Sequence, residues 1–286
     1  MKKIFGIILL ISTGISIQAQ IVPQKSQYYN NPYLVNPAMA GNGHKTSIYL
    51  NYSSQWNKID GGPSLMSISA ATPISDKAGI GANLITDKAG LLSRTQAMSS
   101  FSYRLPLSEN DNLRFGVSLT WSQERLDQAG ATSSGIRDPA LMSYNDRRDS
   151  YFDGNFGVAY QANNLEAQFS YLNLNQKRSH QISTVDYTTF YSSVSYRLSF
   201  DKQLSVKPMI VYRGLKGFSN QLDLAAEWSV NANLDFYTMY HSNNSFTGGL
   251  GFRSHKFRIS TLYNSEPTAV RGLSGGIFDV VLGVEF

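Results

Sequence analysis

The chain has 286 residues, no cysteine and a formal net charge of +5, with only 16% charged residues and abundant Tyr (17) and Phe (15). The lack of thiols excludes disulfide staples, thiolate metal ligands and a cysteine nucleophile. The basic residues are scattered along the chain rather than massed in one patch. They argue for contact with anionic lipid heads or an acidic protein, and against a nucleic-acid partner.

In chain order, Lys2 and Lys3 precede an apolar run from Ile4 to Ile17 that closes on Gln18-Ala19-Gln20. This is the pattern of a secretory signal peptide over residues 1–19, cut after Ala19. The alternative is an uncleaved anchor, because Ile17 is large for its position before the cut. With no cysteine, a lipoprotein signal is excluded. No later window approaches 18 consecutive apolar residues, so no membrane-spanning helix is expected.

Residues 20–45 are polar, non-periodic and rich in Tyr, Asn and Pro. They are expected to form a lead or plug on the periplasmic side, folded back into a barrel or across its periplasmic end. Asn31-Pro32 and Asn36-Pro37 fix extended or turn geometry. Gly41 frees the chain to turn into the first strand. Gln27, Tyr28, Asn30 and Asn36 carry groups able to hydrogen-bond to a lumen wall. The competing reading is a disordered leader.

From 46 to 286 strand-like segments follow one another. Fourteen are predicted, at 46–54, 64–73, 78–86, 95–105, 113–124, 152–161, 165–173, 188–200, 204–213, 219–229, 233–241, 246–253, 256–263 and 275–286. One missed or false hairpin would make sixteen or twelve. Period-two alternation is plain in several. Leu113, Phe115, Val117, Leu119 and Trp121 oppose Arg114, Gly116, Ser118 and Thr120. Leu222, Leu224, Ala226 and Trp228 oppose Asp223, Ala225 and Glu227. The final segment alternates to its last residue, with Phe278, Val280, Leu282, Val284 and Phe286 on one face. A last strand that must pair with the first to close a sheet explains that ending.

The predicted fold is therefore all-β, an antiparallel outer-membrane barrel with apolar residues outward. Arg104, Arg114, Glu166, Arg197, Lys207, Arg213, Asp223, Glu227, Asp235 and Arg258 are expected to line its lumen. Connector lengths test this independently. With a periplasmic N-terminus, the connectors after even strands are short, whereas 55–63, 87–94, 125–151, 174–187 and 264–274 fall outside; 214–218 and 242–245 are short exceptions. Aromatics near strand ends, among them Tyr49, Tyr52, Trp121, Tyr151, Tyr196, Trp228 and Tyr263, suit two interfacial girdles. The rival fold is a secreted β-sandwich with two inner faces.

Chemistry is sparse. Gly79-Ile80-Gly81 and Gly248-Gly249-Leu250-Gly251 sit within strands, where they suit close packing or wall bending rather than phosphate binding. His44, His180, His241 and His255 have no metal-ligand spacing. No cofactor or metal is expected, and no enzyme activity; His241 beside Ser242 and His180 beside Ser179 are the only arrangements worth inspecting as catalytic. Loop 125–151, with Arg125, Asp127, Arg137, Asp138, Asp146, Arg147, Arg148 and Asp149, is a candidate for covering the mouth or docking a protein through paired charges.

Several motifs carry a resemblance. Gln27-Tyr28-Tyr29-Asn30-Asn31-Pro32, Asn36-Pro37-Ala38-Met39-Ala40-Gly41, Gln55-Trp56 and Gly61-Gly62-Pro63, with Asp87-Lys88-Ala89-Gly90 and Phe101-Ser102-Tyr103-Arg104, resemble the type IX secretion system membrane protein PorP/SprF family. The resemblance runs from about Gln24 to the C-terminus. It departs at Phe278-Asp279, where members often have a His-Glu pair. It implies a non-enzymatic outer-membrane component that delivers or retains large secreted adhesins through their C-terminal sorting domain. Other type IX components would be partners at the periplasmic face, and outer-membrane lipid would surround the wall. Contact candidates are then Trp56, Gly62, Pro63, Arg125, Arg137, Asp138, Arg147 and Arg148; lead candidates are Gln27, Tyr28, Asn30, Asn36, Pro37 and Gly41. A diffusion channel for small solutes is the alternative function, and an outer-membrane lipid-modifying enzyme a third.

Overall fold

The computed structural model describes residues 26–55, 62–126, 148–175, 188–201, 203–216, 218–266 and 275–286, with Leu126 and Arg148 described by backbone alone. Residues 1–19, where a signal peptide is expected, lie outside the described residues.

The wall is a closed ring of fourteen antiparallel strands. They are β1 Ser47–Gln55, β2 Ser64–Pro73, β3 Ala78–Ala89, β4 Leu92–Pro106, β5 Asp111–Leu126, β6 Arg148–Ala162, β7 Leu165–Leu172, β8 Thr189–Tyr196, β9 Leu204–Leu215, β10 Gln221–Val230, β11 Leu234–His241, β12 Ser245–Arg253, β13 Phe257–Asn264 and β14 Ile277–Glu285. A two-residue continuation of β8, Leu198–Ser199, pairs with Val206 and Ser205 of β9. Each strand pairs with its sequence neighbours, and β14 returns to β1 in the register Ser47↔Glu285 to Gln55↔Ile277. The backbone N–H of Phe286 adds a bond to Thr46 O. Closure gives every strand a neighbour on both sides, as a sheet in hydrocarbon requires.

Alternation places the faces as the residue pattern dictates. On β5, Phe115, Val117 and Leu119 point out while Arg114, Gly116, Ser118 and Thr120 point into the lumen. Leu119 is 61% exposed and Leu250 57%, and equally bare apolar side chains continue around the ring. No second sheet covers them among the described residues. So wide an apolar belt matches hydrocarbon, not water.

Short turns join β2–β3, β4–β5, β6–β7, β10–β11 and β12–β13 at the end that also holds the C-terminus. The longer connections leave from the opposite, outer end. Segment 87–94 differs from expectation. Asp87, Lys88 and Ala89 belong to β3, and β4 begins at Leu92, so only a tight turn at Gly90 remains. Strands β3 to β6 have 12, 15, 16 and 15 residues, whereas roughly 9–11 suffice to cross the membrane. Lys88 and Arg125 face outward at their outer ends, so the surplus stands in water above the membrane.

Two girdle candidates also face the other way. Tyr49 and Tyr151 are buried in the lumen, because they share strand parity with Asn51 and Ser53, and with Asp153 and Asn155.

Candidate functional site

The lumen is occupied by the chain's own N-terminal lead. Three single 3-10 turns, Gln27–Tyr29, Pro32–Leu34 and Pro37–Met39, follow one another there, with almost every side chain buried. Local chemistry sets this shape. Pro32 and Pro37 open their turns with φ already fixed and no N–H to satisfy. Asn36 caps the third turn, its Oδ1 accepting from Ala38 N at 3.0 Å. Gly41 takes φ +58° where the lead turns towards β1.

The wall supplies the remaining partners. Asn36 Nδ2 donates to Gln168 Oε1 and Val158 O, both at 3.1 Å. Tyr33 and Ser100 share a hydrogen bond of 2.8 Å, and Asn31 Nδ2 donates to Ser69 Oγ at 2.7 Å. Ser170 donates to Val35 O, and Arg114 Nε to Ala38 O at 2.9 Å. On the opposite wall Tyr237 OH and Ser260 Oγ donate to Asn30 Oδ1, and Ser26 and Gln27 donate to Asp279. Gly116 and Gly157 remove wall side chains where the lead presses closest: a Cβ on either would overlap Ala38 N or Asn36 Oδ1. Gly79 and Gly81 make similar room for Ala40 and Tyr33 on β3.

Charge concentrates around Tyr28. Its hydroxyl donates to Asp223 Oδ2 at 3.1 Å, and Arg213 Nε reaches the same oxygen at 2.8 Å. The Arg213 guanidinium lies 5.9 Å from the Tyr28 ring centroid. The other Asp223 oxygen meets His241 Nδ1 at 2.6 Å, and His241 Nε2 meets Thr247 Oγ1 at 2.7 Å. Thr247 donates to Asn264 Oδ1 at 2.6 Å, and Asn264 Nδ2 donates to Asp279 at 2.8 Å. Thr247, His241 and Asp223 thus mimic a nucleophile, base and carboxylate in their order, yet all three are buried. The chain from Arg213 through Asp223, His241, Thr247 and Asn264 to Asp279 ties six consecutive strands of wall together.

Burial pushes the lead's phenols up from their ordinary value, Tyr33 to about 12, with Tyr28 and Tyr29 also raised. For Tyr28 and Tyr29, neighbouring carboxylates (Asp223 and Glu227) add to this. All three therefore remain neutral hydrogen-bonding groups at physiological pH.

The lead separates two cavities that share no lining residue. The outer one, about 1130 Å³ including its mouth, rests on Tyr28, Tyr33, Leu34, Val35 and Pro37. Arg94 stands on its wall and donates to Tyr151 OH at 3.1 Å, which donates to Glu124 at 3.3 Å. The periplasmic one, about 1340 Å³, lies against Gly41, Asn42, Gly43 and His44.

The lead candidates Gln27, Tyr28, Asn30, Asn36, Pro37 and Gly41 are thus gathered in the lumen. Of the rim candidates, Gly62, Pro63, Arg125 and the backbone of Arg148 are among the described residues. Gly62 and Pro63 stand at the first outer connection, where Pro63 O accepts from Gln55 N at 2.8 Å. Arg125 is exposed on β5, opposite the backbone of Arg148 on β6. Trp56, Arg137, Asp138, Arg147 and His180 lie outside the described residues. Sequence reading missed Asp87, Arg94, Glu124, Arg253 and Asp279 as lumen charges; strand parity alone would have found Glu124, Arg253 and Asp279 within their predicted segments, and parity extended by one residue would have found Asp87 and Arg94. Among the described residues no group of three His, Asp or Glu side chains is placed to hold a metal ion.

The sequence model of the family described as type IX secretion system membrane protein PorP/SprF matches residues 17–284. No curated protein matches the chain in sequence. Among solved structures, the toluene transporter TbuX of Ralstonia pickettii is similar at a TM-score of 0.52 and 14% identity, over 88% of this chain and 92% of that one. The monoaromatic hydrocarbon channel CymD is similar at 0.53 and 13%, over 93% and 92%. The P. putida toluene transporter TodX is similar at 0.50 and 11%, over 89% and 93%. At these identities the likeness shows the outer-membrane barrel fold alone.

Proposed function

Because the chain belongs to the type IX secretion system membrane protein PorP/SprF family, we propose that this outer-membrane component serves the secretion or surface attachment of large adhesins, engaging their C-terminal sorting domain at its outer rim. The supporting observation is the lead. A lumen crossed by a buried, hydrogen-bonded segment is poorly suited to solute flow, so the working surface is the rim rather than the bore. The long β3–β6 wall, with Arg125 at the tip of β5, offers that surface above the lipid. A cargo strand reaching this rim would gain main-chain hydrogen bonds and local charge pairing. No catalytic step is assigned.

The test is a pull-down of a sorting domain with tagged protein from detergent-solubilised outer membrane. It is repeated after residues 128–146 are replaced by a short Asn-Gly turn. Recovery of cargo by the full chain and its loss in the deletion supports the reading; equal recovery removes this connection as the main contact. Single-channel recording of the intact protein should be silent, and large steady conductance would favour the diffusion channel.

A further inference from the structure

Arg104 and Arg114 are direct cross-strand partners on β4 and β5, near the periplasmic end of the lumen. Like charges directly opposite one another destabilise a sheet. Several other lumen cations are balanced: Lys207 pairs with Glu166, Arg213 with Asp223, and Arg253 with Glu227 and Asp235; Arg258, opposite Arg253, instead donates to Asn30 O at 3.5 Å. No described carboxylate makes an ion pair with Arg104 or Arg114.

The two arginines are engaged differently. Arg114 is buried and fixed: Nε donates to Ala38 O, and Nη2 donates to Ala40 O at 3.2 Å and Ser102 Oγ at 3.0 Å. Neutral carbonyls satisfy its protons without cancelling its charge. The Arg104 side chain makes no hydrogen bond among the described residues, and its Nε is buried without a partner. Both guanidinium groups border the periplasmic cavity of about 1340 Å³. The carboxylate on that cavity's lining, Asp76, sits in the exposed β2–β3 turn and is not paired with either arginine.

We propose that Arg104, backed by Arg114, is a binding site for a carboxylate carried on an acidic peptide segment entering the barrel mouth from the periplasm. A planar guanidinium with free donors matches a carboxylate in charge and shape. The cavity is far larger than one free anion needs. Its edge of Gly41, Asn42 and Gly43 backbone, with the Gln161 amide, offers groups that hydrogen-bond to a peptide chain. The site lies on the opposite side of the lead from the outer rim, so it stands or falls independently of the adhesin reading.

The test uses the full mature chain in non-ionic detergent at low salt, with fluorescein-labelled hexaglutamate read by anisotropy and hexaglutamine as the neutral control. Hexaglutamate should bind saturably and hexaglutamine should not. Arg104→Gln should weaken binding at least about tenfold, as expected for loss of a charge-assisted contact, and Arg104→Lys should restore part of it. Lys77→Gln, which removes an exposed charge from the neighbouring turn, should change binding less than about twofold. Because the Arg104 side chain makes no hydrogen bond among the described residues, Arg104→Gln should retain the folded barrel's gel mobility. Three results would overturn the proposal: unchanged binding by Arg104→Gln, an equal loss in Lys77→Gln, or displacement of the peptide by equimolar inorganic phosphate.

Discussion

Gly116 and Gly157 stand directly opposite each other on β5 and β6, and the lead crosses the paired gap they leave. The slot has no side-chain atoms to yield, and the lead's backbone and the Asn36 amide fill it. A valine at Gly157 should therefore expel the lead while the interstrand bonds of the ring persist. The expected outcome is steady conductance in planar bilayers from an otherwise silent protein, with unchanged heat-modifiable gel mobility. A silent Gly157→Val barrel with a protease-resistant lead would refute this account of the slot.

Asn36 satisfies its cap with oxygen and its wall contacts with nitrogen. Asn36→Ala should cost about 1–3 kcal/mol in the stability of the docked lead, as for a buried polar network left with orphaned partners. Asn36→Asp keeps the cap but sets a carboxylate against Gln168 Oε1 and Val158 O, so it should be the more damaging change. Amide hydrogen exchange at Ala38 and Met39 would rank the two.

Tyr28→Phe removes one donor from an Asp223 that retains Arg213 and His241, and should cost about 1 kcal/mol. Arg213→Gln removes a buried cation from the same carboxylate and should cost about 3–5 kcal/mol. Thermal unfolding in detergent distinguishes them, and equal losses would mean that Asp223 does not organise this side of the lumen.

The raised phenol of Tyr33 gives the lead an alkaline limit. Its proton is held to about pH 12 when docked, against about 10 when free. Docking stability should thus be fully present below about pH 10 and decline as pH rises towards 12, because the released lead gives up protons that the docked lead keeps. Protease sensitivity of the lead should rise over that interval, with a smaller rise in Tyr33→Phe.

Much of the wall was legible in the residues. Alternation such as Phe278 to Phe286 is a local property, and each predicted strand overlaps one in the ring. The β3–β4 hairpin was obscured because its tip is bathed in water, so Asp87 and Lys88 look like a loop to a reader searching for apolar alternation. Tyr49 and Tyr151 were assigned by residue type, although parity decides their direction. The lead's exact seat could not be read locally at all. Tyr28 meets Asp223 across 195 positions and Ser26 meets Asp279 across 253, and no periodicity encodes such distant partners. What the sequence did show was Pro and Asn spaced for turns, and strand glycines without evident purpose; the two features fit each other.

The lead runs from Asp279, near the outer end of β14, to Gly41 at the periplasmic end, and β1 begins a few residues later beside β14. Contents and seam are therefore consecutive stretches of polypeptide. During biogenesis the sheet has to curl around its filling before the last zip of hydrogen bonds between Ser47 and Glu285 can lock, much as a cask is loaded before its final stave is set. Defects in the filling should consequently surface as slow or leaky closure by the insertion machinery, well before they are felt by any cargo.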